Sequence, residues 1–188
     1  MSNMLLNNKE LKILAEFTSD YNSKSYGRAI ASKLRTNQKT VANILNKLEI
    51  QHIIKFRQEG KNKYFFLNKA NPQTKEVIKL VEINKRIKLF EKYKKLHSLF
   101  LDIEKRARGI IVIFGSYANF TSNERSDLDL FLIGTITEIE DLEGLYNIKI
   151  NVIKSKKGKV KSNDLFINEI VKNHIILKGI EEFIDMLW

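Results

Sequence analysis

The 188-residue chain contains no cysteine, one proline and one tryptophan. Without cysteine there is no disulfide, no thiolate zinc site and no thiol nucleophile. A single proline, Pro72, rules out a proline-rich linker. No apolar run approaches the ~20 residues a membrane helix needs. The first fourteen residues are polar and charged rather than signal-like, so a cytoplasmic location with no membrane partner is expected. The three histidines, His52, His97 and His174, are dispersed, and neither a metal-binding histidine pair nor a Ser-His-Asp order is present. The hydrophobic fraction of 43% suits a buried core, in one large domain or two small ones.

The formal net charge is +11, unevenly spread. Residues 1–70 carry 13 Lys/Arg against 5 Asp/Glu, and residues 71–108 carry 11 against 5. Residues 109–188 reverse the balance, with 9 against 12. A basic segment attracts polyanions by counterion release. A general lysine bias is the plainer reading, but it does not explain why the excess stops near residue 108.

Apolar periodicity predicts a helix over Asn8–Asp20, a second over Tyr26–Leu34 and a third over Gln38–Ile50. The third has Val41, Ile44, Leu45 and Leu48 as its buried stripe. His52–Arg57 and Lys63–Leu67 read as strands joined by the polar turn Gln58–Asn62. Three helices and a hairpin, with a tight turn between the second and third helices, is the order of a winged helix-turn-helix. Asn71-Pro72 then suits a cap and first helical position. Helical spacing continues from Thr74 to about Arg108, with a break near Tyr93–His97. Ile110–Phe114, Leu128–Ile133 and Ile148–Ile153 read as strands, and Asn163–His174 and Ile180–Leu187 as helices. The expected fold class is α+β. Residues 1–70 would form a winged helix-turn-helix, 71–94 a helical linker, and 95–188 a mixed sheet with flanking helices.

Phe114-Gly115-Ser116-Tyr117-Ala118 ends the first apolar strand, and Asp127-Leu128-Asp129 follows. Gly115 lacks the Cβ that would keep a phosphate from the backbone. Ser116 offers a hydroxyl and an N–H. Asp127 and Asp129, two apart on a strand, present carboxylates to one face. Such a pair holds a hard cation through oxygen, Mg2+ or Mn2+ when an NTP supplies further ligands. A phosphate cradle beside paired carboxylates is what metal-assisted nucleotidyl transfer requires. The structural alternative is a Gly-Ser turn with capping aspartates.

These segments, with Ser126 and Leu130, resemble the signature of minimal nucleotidyltransferases of the DNA polymerase β superfamily. Ile175–Phe183 resembles the end of such domains in archaeal members, and the likeness covers about residues 95–188. A winged helix ahead of that domain likewise resembles an arrangement of archaeal proteins. The resemblance implies that Gly115 and Ser116 bind NTP phosphates, and that Asp127 and Asp129 are catalytic metal ligands. It further implies transfer of NMP to a protein or small-molecule hydroxyl.

Two positions depart from the pattern. Asn151, within Ile150-Asn151-Val152, stands where the family has its third carboxylate. Asn keeps a carbonyl oxygen but binds Mg2+ weakly and is no base. Asp141 and Glu143 lie nearby but outside an apolar strand. Asn119-Phe120 replaces a basic residue and a glycine. Lys154, Lys156 and Lys157 either restore that positive charge or form a solvated run.

In the first domain Gln38, Lys39, Thr40, Asn43, Asn46 and Lys47 lie off the apolar stripe and suit base edges or phosphates of double-stranded DNA. Arg57, Lys61 and Lys63 on the hairpin, and Arg28 and Lys33 on the second helix, suit its backbone. Protein docking is the alternative use of such a face. Two further readings stand beside transfer: the missing third carboxylate and the basic N-terminal region suggest a catalytically degenerate, nucleotide-sensing transcriptional regulator, and the resemblance implies an antitoxin-type partner of a helical ribonuclease toxin. Apolar residues on more than one side of the linker helix suggest a homodimer.

Overall fold

Apolar stripes of helical and extended period alternate along this chain, and each packs as its period requires. The computed structural model describes residues 6–156 and 165–188. The fold is α+β, in two compact units: one reaches Val81 and includes Trp188, the other is Glu82–Leu187.

In the first unit, α1 (Asn8–Ala15) opens with a capping box. The Asn7 side chain accepts from the Lys9 and Glu10 N–H groups, and the Glu10 carboxylate accepts the Asn7 N–H at 3.0 Å. This satisfies donors that a helix start leaves unpaired. The helix ends at Ala15 rather than Asp20. Thr18 explains part of this, since its hydroxyl donates to the Ala15 carbonyl at 3.0 Å and competes with the helical pattern. β1 (Ser25–Tyr26), α2 (Gly27–Lys33) and α3 (Gln38–Ile50) follow. Asn37 caps α3 by accepting the Lys39 N–H at 2.8 Å. Val41, Ile44, Leu45 and Leu48 face the core, with Ile13, Leu14, Ile30 and Phe65.

β2 (Ile54–Glu59) and β3 (Asn62–Leu67) form an antiparallel hairpin, and β1 joins the far side of β3. The strands run further than the spacing suggested, so the connection shrinks to Gly60-Lys61. The strand expected from His52 begins only at Ile54. His52 has φ +58, a left-handed turn, and its carbonyl accepts the side-chain amides of Asn68 and Asn71 at 2.8 and 3.0 Å.

α4 (Pro72–Lys92) contains the division between units, so residues 71–94, expected as a separate linker, are shared between them. The expected break near Tyr93–His97 is a 3-10 turn, Lys94–Leu96, before α5 (His97–Arg106).

The second unit is built on a four-stranded mixed sheet, ordered β6-β5-β4-β7. β4 is Ala107–Phe114, β5 Leu128–Ile136, β6 Ile150–Ser155 and β7 Ile175–Lys178. β4 runs antiparallel to β5 and β7, and β5 parallel to β6. Ile111, Ile113, Leu128, Leu130 and Leu132 pack on one side, with Leu99, Phe100 and Ile103 of α5. Ile110, Val112, Phe131 and Ile176 pack on the other, with Ile167, Ile170 and Phe183. These last come from α8 (Leu165–Lys172) and α9 (Ile180–Leu187). Burial on both faces explains why the strands read as continuous apolar runs. The short helices α6 (Gly115–Ala118) and α7 (Glu140–Tyr146) connect strands. The expected helix start at Asn163 lies outside the described residues, as does Lys157. His174 does not end α8; it immediately precedes β7. It is buried beside Glu82, whose Oε2 lies 3.2 Å from His174 Nε2 and 2.7 Å from Lys85 Nζ. Those are ion-pair distances.

Candidate functional site

Strand pairing places the two halves of the motif side by side. Phe114, the last residue of β4, is the register partner of Asp129 in β5, so the chain leaves β4 at Gly115 directly beside that carboxylate. Gly115 has φ +68, and a Cβ built on it would meet Asp129 Oδ2 at 2.5 Å. Only glycine combines that backbone conformation with that approach. Ser116 follows in α6, a single four-residue turn whose contribution is local N–H groups rather than a helix dipole. The Ser116 carbonyl accepts the Thr121 N–H at 3.0 Å, which draws the following loop back onto α6.

Asp129 alternates with Leu128 and Leu130, which are buried in one core layer, so its side chain projects to the other face. Asp127 lies one residue before β5 and shares that direction. Both carboxylates converge on Asn151, whose Nδ2 donates to Asp129 Oδ1 at 3.0 Å and to Asp127 Oδ2 at 3.3 Å. Asn151 is the parallel-register partner of Asp129. Asp141, the nearby alternative to Asn151, is ion-paired with Arg106. Glu143, the other, accepts the Ile150 N–H at 2.6 Å. Among the described residues no three His, Cys, Asp or Glu side chains come together as a metal set. Here two carboxylates meet the Asn151 amide.

The donor set still fits a hard cation. Two carboxylates and, after rotation of the amide, the Asn151 carbonyl oxygen offer three oxygens. The Asp129 carboxylate occupies the place a Cβ on Gly115 would take, so these oxygens lie against the Gly115 backbone. Mg2+ takes few protein ligands when phosphates complete its octahedron. The set includes no base to replace a third carboxylate.

Lys149, missed in the sequence, borders the same pair with Nζ 3.4 Å from Asp127 Oδ2. It stood outside the motif, and only the side-by-side start of β5 and β6 reveals it. Lys154 and Lys156 are exposed residues at and after the end of β6. Tyr117 is buried beneath the loop, its ring 4.9 Å from that of Tyr93. Burial, then Tyr93 and Asp127, hold its hydroxyl above the usual phenol range. Phe120 stacks parallel to Tyr93, 6.3 Å apart, with φ +59. Thus an aromatic residue occupies a backbone conformation that glycine adopts without strain.

In the first unit Gln38, Lys39, Asn43 and Asn46 are exposed on α3, with Thr40 half-buried at its start. Arg57, Lys61 and Lys63 are exposed on the hairpin, with Lys63 Nζ 4.2 Å above the Phe56 ring. Lys47 is committed elsewhere: its Nζ lies 2.6 Å from Oε1 of buried Glu10. Lys33 similarly pairs with Glu16 at 2.8 Å, while Arg28 is exposed.

No protein-family model matches the chain, and no curated protein matches it. Two solved structures are similar at low levels. One is the homodimeric winged helix-turn-helix DNA-binding domain of a possible ArsR-family transcriptional regulator from Mycobacterium bovis. It is 20% identical over 48% of this chain and 71% of that one, with a TM-score of 0.34. The other is a chain from the crystal structure of a toxin–antitoxin with AMP-PNP. It is 18% identical over 55% of this chain and 78% of that one, also with a TM-score of 0.34. Likeness at this level carries no functional weight, and what the site does rests on its own geometry.

Proposed function

We propose that the protein is a DNA-binding regulator whose second unit binds a metal–nucleoside triphosphate, without efficient transfer, in a degenerate nucleotidyltransferase-type site. The observation that carries the nucleotide reading is the meeting of Gly115 with Asp129 across adjoining strands, with Asp127 on the same side. Gly115 and Ser116 would receive phosphate oxygens, and Asp127 and Asp129 would hold Mg2+ or Mn2+. The metal would neutralise phosphate charge and polarise the α-phosphate. Asn151 cannot take a proton from an attacking hydroxyl, which argues for binding over turnover.

The element order of the first unit and the exposed Gln38, Lys39, Asn43, Arg57, Lys61 and Lys63 support a winged helix reading double-stranded DNA. The exposed apolar residues Leu80, Ile83 and Ile87 of α4, spaced by three and four, support self-association through that helix. A two-fold dimer would suit a two-fold DNA site.

Isothermal titration of ATP and GTP with Mg2+ into the wild type and an Asp127→Ala/Asp129→Ala variant tests the central claim. Binding by the wild type that disappears in the variant supports it. Equal binding by both, or by neither, ends it.

A further inference from the structure

At the mouth of the carboxylate pair, the position of a cation is contested by a group of the protein itself. Lys149 immediately precedes β6 and lies two residues before Asn151, and both side chains reach Asp127. The Lys149 carbonyl accepts the Leu128 N–H at 2.8 Å, which fixes its backbone beside the first residue of β5. Its side chain is 68% exposed. The Lys149 ammonium and the Asn151 amide both approach Asp127 Oδ2, at 3.4 and 3.3 Å. Both distances are long for charge-assisted hydrogen bonds. The oxygen is therefore shared by two donors and held tightly by neither.

We propose that Lys149 is a built-in counter-ion of the Asp127–Asp129 pair, displaced by a divalent cation and recaptured by the triphosphate that the cation brings. This inference rests on the metal–nucleotide reading of the site. The ammonium offsets one of the two negative charges of the aspartate pair. A cation that takes Asp127 Oδ2 at ~2.1 Å leaves no room for Nζ at the same lone pairs. A metal entering alone must therefore displace the ammonium into water and forgo part of its own attraction. A metal entering with a triphosphate offers the displaced Nζ new anionic oxygens within reach of a flexible four-carbon stem. Lys149 thus opposes the bare ion and favours the ion–nucleotide complex, so the two ligands bind cooperatively, each raising affinity for the other.

The test measures binding, not turnover. Mn2+ is titrated into the full-length protein by electron paramagnetic resonance, and Mn2+–ATP by calorimetry, for wild type, Lys149→Met and Lys149→Arg. Thermal melting checks that each variant is folded. Lys149→Met should bind Mn2+ alone roughly three- to tenfold more tightly, the range for removing a close, solvent-exposed like charge. It should bind Mn2+–ATP more weakly by a similar factor, while Lys149→Arg keeps the wild-type order. The opposite signs are the signature, since simple damage to the site weakens both. Unchanged or weaker Mn2+ binding in Lys149→Met overturns the proposal while leaving the nucleotide reading intact, provided the wild type binds Mn2+–ATP. A wild type that binds neither ligand overturns both.

Discussion

Phe120 shows how one side chain records a constraint on the loop beside the site. At φ +59 an aromatic residue is strained by about 1–2 kcal/mol relative to glycine, because its Cβ crowds the following carbonyl. Its stack on Tyr93 offsets part of that cost. Phe120→Gly and Phe120→Ala both remove the ring, but only glycine relieves the backbone. Urea unfolding should place the glycine variant above the alanine variant by about 1 kcal/mol; equal midpoints would contradict the left-handed conformation. Asn151 makes the complementary point. Asn151→Asp should raise Mn2+ affinity roughly tenfold by supplying a third charged oxygen ligand. It should also lower stability without metal, because three carboxylates then repel one another. A titration with no gain in affinity would show that position 151 does not face the cation. The common side of Asp127 and Asp129 was legible because a spacing of two along an extended chain dictates a shared face. Lys149 was not, because its nearness to Asp127 depends on how two strands pair rather than on any local pattern.

Elements follow the same division between local and long-range causes. α3 was readable to its end residues, since a four-position apolar stripe and an asparagine cap are both local signals. β7 was missed because Ile175–Lys178 is only four residues long and runs straight into α9; it becomes a strand by pairing with β4. α7 was missed because its charged first turn resembles a loop and Leu142 alone is buried. The second half of α4 hides an ion-paired centre that no periodicity announces. Burial raises the Glu82 carboxyl, but Lys85 and His174 outweigh it and bring the pKa down to about 2. Burial lowers the Lys85 ammonium while Glu82 opposes the change. In the unfolded chain Glu82 takes up its proton in the usual carboxylate range, well above its folded value. The unfolded state therefore binds more protons between about pH 4.5 and 2, and stability falls as pH drops through that interval. Glu82→Gln should flatten this acid slope. At neutral pH it should cost on the order of 3–5 kcal/mol, since the Lys85 charge loses its buried partner. Urea midpoints at pH 7 and pH 3 for both proteins decide the matter; parallel losses would remove Glu82 from the account.

For the whole molecule, the uneven charge is the property most open to measurement. The excess of 13 Lys/Arg over 5 Asp/Glu in residues 1–70, all within the first unit, and the acidic balance of residues 109–188 predict that duplex DNA affinity belongs to the first unit and falls steeply with salt. Each phosphate neutralised contributes roughly −0.9 to the slope of log affinity against log salt. Lys39→Ala and Lys61→Ala should each make the slope shallower by about 0.9, as read by fluorescence anisotropy across salt concentrations. An unchanged slope would assign those lysines to solvent. Lys47→Ala is a poor probe of the same surface, because it strands buried Glu10 and unsettles α1 and α3 together. The parallel alignment of β5 with β6, which sets Asn151 beside Asp129, has a consequence in genetic terms. Asparagine and aspartate codons differ at a single nucleotide, so a gene for this protein stands one point mutation from an acidic triad. Selection for turnover, applied to a random library, should return to that codon repeatedly.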